Sequence, residues 1–323
     1  MKIQDTKTRS LGRREFNTLC AALGLSLPAG STMLAALSHE AALAAAGGSQ
    51  SDPRSVKFHD GTLVAAVGQG SWHLAAGRRP AAVEEEALRT GLSLGMTLID
   101  TSGNYSGGHS EELISRAIAG QRHKVFLVSK VETDQVAGAG MARACDASLA
   151  RLGTTYLDLY LMHWPVSSSQ FGGMVAGFER LRAAGKIRRW GVSNFNVRQM
   201  EDLFKVGAGD SCATNQVPYS LSDRRIERDL LPWCEQHGMP IMAYSPLGGQ
   251  GSALVNNPAL ARIGAAHNCS AAAVALAWTI RGGNVIAIPE SGSAAHVTEN
   301  AVALSMVLTP EELQMLDADF PTH

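Results

Sequence analysis

Four side chains between residues 100 and 163 could together protonate a carbonyl oxygen. Asp100, Lys130 and His163 each end a short apolar run, and Tyr105 follows Asp100 by five residues. A lysine at the end of Val-Phe-Leu-Val is costly to leave unpaired, and Asp100 is its natural partner. A tyrosine hydroxyl, with a pKa of about 10, is a poor acid at pH 7. A neighbouring ammonium favours phenolate and is expected to bring that value down, toward the range where general acid catalysis works best. Asp100 would keep Lys130 charged and in place, and His163 would orient the carbonyl by a hydrogen bond. Singly, each residue has a structural reading. Asp100 could cap the next segment, and His163 before Trp164-Pro165 could be a core histidine. Their arrival together argues for chemistry. The sequence has no nucleophile elbow and no Cys/His cluster with zinc spacing. A hydride from a nicotinamide is therefore the expected attacker of the carbon.

The elements that must position these residues alternate in type. Short β-type runs lie at 97–100, 125–130, 157–163, 190–194, 213–217, 240–245 and 285–289, the third apolar on both sides apart from Asp158, with 303–307 as a weaker eighth. Helix-type segments at 82–94, 111–119, 141–152, 171–184, 196–206, 226–237 and 271–281 separate them. Asn196 and Ser270 suit N-caps, and Gly153, Gly185 and Gly238 sit where helices should end. Continuous apolar strands alternating with helices indicate a parallel sheet buried on both faces. Eight such units in about 270 residues fit a (β/α)8 barrel, whose active site lies at the C-terminal strand ends. Those ends add Ser193, Asn194, Gln216, Tyr244, Ser245 and Pro289-Glu290-Ser291. A doubly wound sheet is the rival, but Gly68-Gln69-Gly70 lacks a third glycine and precedes no clear helix. Before the barrel, 56–58 and 63–67 flank Asp60-Gly61, a hairpin turn pair.

The chain has 323 residues, 28 basic and 29 acidic, 18% charged and 45% hydrophobic. Near-neutral charge argues against a nucleic-acid protein, and five cysteines are too few for a disulfide scaffold. Residues 1–46 are unlike the rest. Lys2, Lys7, Arg9, Arg13 and Arg14 lead into an alanine-rich apolar stretch that ends in Ala-x-Ala patterns, as an export signal does. Gly24, Pro28 and Gly30 interrupt it, which disfavours a permanent membrane span. Arg13-Arg14-Glu15-Phe16 resembles a twin-arginine signal, with departures at Gly12 and Asn17; the competing reading is an amphipathic or disordered tail. Cleavage after Ala46 would leave 277 residues of charge −3 as one barrel domain, 47–323, and would remove Cys20.

The motifs of the remaining chain resemble the aldo-keto reductase superfamily over about residues 56–320. The likeness rests on Gly68-Gln-Gly-Ser-Trp72, Ile99-Asp-Thr-Ser-Gly-Asn-Tyr105, Ser110-Glu-Glu, Phe126-Leu-Val-Ser-Lys130, Leu157 to Pro165, Gly191-Val-Ser-Asn-Phe195, Asn215-Gln216-Val217, Ala243 to Leu247 and Ile288-Pro289. The resemblance implies a single-domain (β/α)8 TIM barrel, its bottom closed by the N-terminal hairpin, and reversible NAD(P)H-dependent carbonyl reduction. It puts a catalytic tetrad on Asp100, Tyr105, Lys130 and His163, with Tyr105 as general acid. It puts nicotinamide contacts on Ser193, Asn194, Gln216 and Tyr244, and the pyrophosphate on Ser245, Pro246 and Leu247. The adenosine end falls on Glu290, Ser291, His296, Glu299 and Asn300, and pocket aromatics on Trp72 and Trp164. Many NADPH-specific members have basic residues where this chain has Glu290 and His296. A weakened NADPH preference, with NADH used comparably or better, is the expectation.

The expected cofactor is NADPH or NADH, and the expected partners are a small carbonyl substrate and the twin-arginine machinery, with no nucleic acid. A monomer in the periplasm is expected, or in the cytoplasm if the signal is unused. A second reading from another class is an exported nucleotide-binding redox sensor or accessory subunit with little turnover. A cofactor-free barrel lyase or isomerase conflicts with the Ser-Asn, Gln and Tyr-Ser-Pro-Leu set.

Overall fold

The computed structural model describes residues 54–249 and 253–322. The segment read as a leader, with Cys20, lies outside the described residues. Two strands, β1 (Ser55–Lys57) and β2 (Leu63–Ala65), form the expected antiparallel hairpin. Eight more follow: β3 (Gln69–Gly70), β4 (Leu98–Asp100), β5 (Phe126–Val131), β6 (Leu159–Met162), β7 (Trp190–Ser193), β8 (Asn215–Pro218), β9 (Ile241–Tyr244) and β10 (Val285–Ala287). Each pairs in parallel with its neighbours in chain order. Bridges from Val67 to Ala287 and from Gly70 to Glu290 join the two ends of the sheet. The fold is a (β/α)8 barrel.

Strand composition explains the closure. All six residues of β5 and all four of β6 are buried, as a sheet covered on both faces requires. Tyr160 of β6 meets Phe178 edge-on at 6.1 Å, and Phe178 stacks on Trp190 of β7 at 5.2 Å. Phe178 belongs to one of ten helices among the described residues: α1 (Ala81–Ser93), α2 (His109–Ala117), α3 (Gly140–Leu152), α4 (Phe171–Ala183), α5 (Val197–Phe204), α6 (Leu230–Gln236), α7 (Pro258–Ala266), α8 (Ala271–Thr279), α9 (Ala294–Ala301) and α10 (Pro310–Asp319). Asn196 and Ser270 cap α5 and α8 through Gln199 N–H and Ala273 N–H. No helix among the described residues is long and apolar enough to cross a membrane.

The eighth strand is not where its composition suggested. The 303–307 run is no strand: Val302–Leu304 is a turn of 3-10 helix, and its apolar side chains Ala303, Leu304 and Met306 pack on the helical layer. The missing strand is β3, the glycine-rich stretch. Gly70 answers to the seam, and Gly68, just before β3, to Leu98 of β4. A Cβ on Gly68 would stand 2.7 Å from Leu98 Cδ2, and one on Gly70 2.9 Å from the Ile288 carbonyl oxygen. Close backbone approach, not β propensity, selects these residues. Helices α7, α9 and α10 also follow segments not assigned from periodicity, although Asn257-Pro258 and Thr309-Pro310 carry ordinary start signals.

The hairpin sits at the N-terminal ends of the strands. Phe58 stacks on Phe126 at 5.5 Å, and Asp60 pairs with Arg189 at 2.5 Å. Asp158, the polar exception in its apolar run, accepts from Arg122 at 2.7 Å and from the Leu127 N–H at 3.0 Å. Cys145, Cys212 and Cys234 are buried, Cys269 is half-buried, and all four are unpaired. Burial pushes the Cys145 and Cys212 thiols up to about 12, and that of Cys234 also upward.

The seam gives a direct expectation. Gly70→Ala should lower unfolding free energy by about 1–3 kcal/mol, the usual cost of overpacking. Urea unfolding measures this, and an unchanged midpoint would mean that β3 does not need the bare backbone.

Candidate active site

The C-terminal strand ends surround a cavity of about 760 Å³. At its base Lys130 is 2% exposed and Asp100 3%. Lys130 Nζ donates to Asp100 Oδ2 at 2.7 Å, to the Thr101 carbonyl at 2.9 Å and to Tyr105 Oη at 3.0 Å. The other Asp100 oxygen, Oδ1, accepts from Gln216 Nε2 at 2.7 Å across the barrel. All three ammonium protons and both carboxylate oxygens thus have partners, as burial demands.

Tyr105 stands in the loop after β4, in a tight turn where Ser106, Gly107 and Gly108 have positive φ. The motif Ser110-Glu-Glu fixes that loop. Ser110 Oγ donates to the Ser71 carbonyl, and fully buried Glu111 accepts from Ser129 Oγ and Arg151 Nε, both at 2.7 Å. A Cβ on Gly108 would meet Arg151 Cδ at 2.8 Å, so the turn needs glycine for space as well as for φ.

Electrostatics correct one expectation. Burial pushes the Tyr105 phenol above its ordinary 10.0; Lys130 opposes this and does not overcome it. Burial also works against the Lys130 ammonium, but the Asp100 and Tyr105 charges outweigh it and hold the lysine above its usual range. Tyr105 therefore keeps its proton through neutral pH, the state a general acid needs.

His163 meets the Tyr105 ring edge-on at 5.8 Å. Its Nδ1 lies 2.5 Å from Glu132 Oε1. Glu132 escaped the reading of strand ends. The signal was available, because Glu132 follows Lys130 by two along an extended segment and so returns to the same side. On the opposite wall Asn194 Nδ2 donates to the His163 carbonyl at 3.3 Å and to Ser193 Oγ at 3.0 Å, while Tyr244 Oη donates to Asn194 Oδ1 at 2.9 Å. Ser193 Oγ in turn donates to the Gln216 carbonyl at 2.8 Å. Asn194 and Ser245 have φ of 66° and 50°. Side chains other than glycine hold such angles at a cost, and here both line the cavity.

The structure brings Trp72, Asp100, Tyr105, His163, Trp164, Ser193, Asn194, Gln216, Tyr244, Ser245, Pro246, Leu247 and Glu290 to one cavity, with Lys130 behind its wall. Trp72 and Trp164 are about half exposed at the mouth. Ser291, His296, Glu299 and Asn300 lie off that wall. Ser291 Oγ accepts from the Ser293 N–H, His296 and Glu299 face solvent on α9, and Asn300 is buried. Glu290 turns to the first loop. Its Oε2 accepts from the His73 N–H and lies beside His73 Nδ1, both at 2.9 Å.

A parallel barrel with Lys, Asp and Tyr joined under an open cavity at the C-terminal strand ends has the layout of an α/β-barrel enzyme. Comparison with known proteins supplies the family. The profile of the aldo/keto reductase family matches residues 66–319. The chain is 48% identical over 269 residues to a methylglyoxal reductase of Escherichia coli, covering 82% of this chain and 94% of that protein. It is 32% identical over 263 residues to a glyoxal reductase of Bacillus subtilis, covering 81% and 91%. An aldo/keto reductase of Klebsiella pneumoniae solved with NADP and acetate superposes with a TM-score of 0.81 at 43% identity, over 84% of this chain and 96% of that one. The chain belongs to the aldo/keto reductase family.

The raised phenol value predicts a titration. In ultraviolet difference spectra, the signal lost in Tyr105→Phe should ionise above pH 10. Ionisation below pH 9 would show that Lys130 dominates over burial.

Proposed function

We propose that the chain reduces the carbonyl of a small aldehyde, ketone or sugar-derived substrate to the alcohol, using NADPH or NADH, with Tyr105 as general acid. The observation that carries this reading is the Tyr105 hydroxyl 3.0 Å from a buried ammonium that is itself held by Asp100. The names of the two bacterial reductases point to small oxoaldehydes such as methylglyoxal as the first substrates to try.

The cavity suits a nicotinamide cofactor. Asn194 and Gln216 offer amides, and Tyr244 a ring, along one wall, with Ser245, Pro246 and Leu247 beyond. Bound there, such a cofactor supplies the hydride. The protein's own groups do the rest. Tyr105 passes its proton to the carbonyl oxygen as negative charge develops on it. Lys130 stabilises the phenolate left behind, and Asp100 keeps Lys130 in position. Trp72 and Trp164 flank the mouth and screen the reacting carbonyl from water.

Glu290 and His296 replace basic residues that would attract a 2′-phosphate. A like-charge contact at about 4 Å is worth up to roughly 4 kcal/mol at an effective dielectric of 20. Partial exposure and the His73 partner reduce that here. NADH is therefore read as used comparably to NADPH. Residues 1–46 are read as a twin-arginine export address, which carries a folded, cofactor-loaded protein.

Two measurements test these readings. Tyr105→Phe should slow single-turnover oxidation of bound NAD(P)H by methylglyoxal by about 10²–10⁴-fold, the usual share of a general acid, with cofactor affinity unchanged. Full activity in that variant sinks the assignment, and no oxidation by the wild type favours a sensor. Protein purified from the periplasm should retain a nicotinamide nucleotide and bind NADPH no more than about tenfold tighter than NADH, a gap of about 1.4 kcal/mol. Tighter NADPH binding, or absence from the periplasm, overturns the corresponding reading.

A further inference from the structure

The segment after β5 holds a carboxylate that the proton path described so far does not use. Glu132 Oε1 lies 2.5 Å from His163 Nδ1, the two side chains being 24% and 12% exposed. Both partners are anchored. The Glu132 side chain caps the Thr133–Gln135 turn, and its N–H donates to Gln135 Oε1 at 3.3 Å. The His163 N–H donates to the Val131 carbonyl at 3.0 Å, and its carbonyl accepts from Asn194.

A carboxylate accepts and does not donate, so the proton of this bond belongs to Nδ1. A ring with a single proton then has a bare Nε2. A bare nitrogen cannot donate to a carbonyl oxygen. A ring with both protons can. The charged and titratable groups around it leave Glu132 as its own counter-charge. Lys130 is matched by Asp100, Arg151 by Glu111, and Tyr105 presents its ring edge.

We propose that Glu132 is a positioning residue: it fixes the Nδ1–H form of His163, so that His163 donates to the substrate oxygen through Nε2 only as imidazolium. This rests on the carbonyl-reduction reading above. Carbonyl reduction then depends on the proton count of one imidazole, and that dependence comes from a carboxylate which never touches substrate.

The test pairs a structural readout with a kinetic one. Nitrogen-15 NMR of His163, assigned by its loss in His163→Gln, reports which nitrogen carries the proton. The wild type should keep Nδ1 protonated throughout, and its kcat/KM for methylglyoxal should fall with rising pH. In Glu132→Ala the neutral ring should move its proton to Nε2, and that alkaline fall should flatten. Glu132→Gln keeps side-chain length and should do the same, because its amide can face a bare Nδ1. A wild-type ring with Nε2–H, or the same alkaline fall in all three proteins, overturns the proposal. If no protein turns over but the wild-type ring shows Nδ1–H, the carbonyl-reduction reading fails while the hold of Glu132 on the ring stands.

Discussion

The site depends on one buried ion pair. An ammonium removed from water survives only if its charge and all its protons are answered. Lys130 meets that demand with Asp100, the Thr101 carbonyl and Tyr105, drawn from the strand end and loop beside its own. Asp100 then reaches Gln216 on the far side of the barrel. A single carboxylate therefore ties β4, β5 and β8 together, and the Tyr105 hydroxyl is placed as a by-product of satisfying a lysine.

The opposite wall is a chain of neutral hydrogen bonds. Tyr244, Asn194, Ser193 and Gln216 pass donors and acceptors from β9 to β7 to β8. Removing the Asn194 amide would leave the buried Ser193 hydroxyl without one of its partners, a penalty larger than the bond itself is worth. The positive φ at Asn194 and Ser245 shows that the backbone accepts strain to keep this wall in register. Rigid strands hold the chemistry, and the loops supply Tyr105, Trp72 and Trp164.

The legible parts of the sequence were those set by burial and periodicity. Seven strands, the hairpin, the caps at Asn196 and Ser270 and the Asp–Tyr–Lys–His set all follow from apolar runs and their polar ends. What escaped obeys other rules. The first barrel strand is glycine-rich because another backbone approaches it, so no propensity marks it, whereas the apolar 303–307 run imitates a strand while packing as a helical turn. At Tyr105 burial and the Lys130 charge pull in opposite directions, and spacing alone cannot decide between them. The orientation of Glu290 toward His73 depends on a fold-back of the first loop, a contact 217 residues apart in sequence.

The cysteines carry a last consequence. Three of the four described thiols are buried, with acidities suppressed by that burial, and Cys269 is half-buried and also pushed upward. Thiolate, not thiol, reacts with oxidants and disulfides. Burial therefore favours the less reactive thiol form at these cysteines, even though the family trades in electrons. A passage from a reducing to an oxidising compartment would find no ready cross-link to form and none to break.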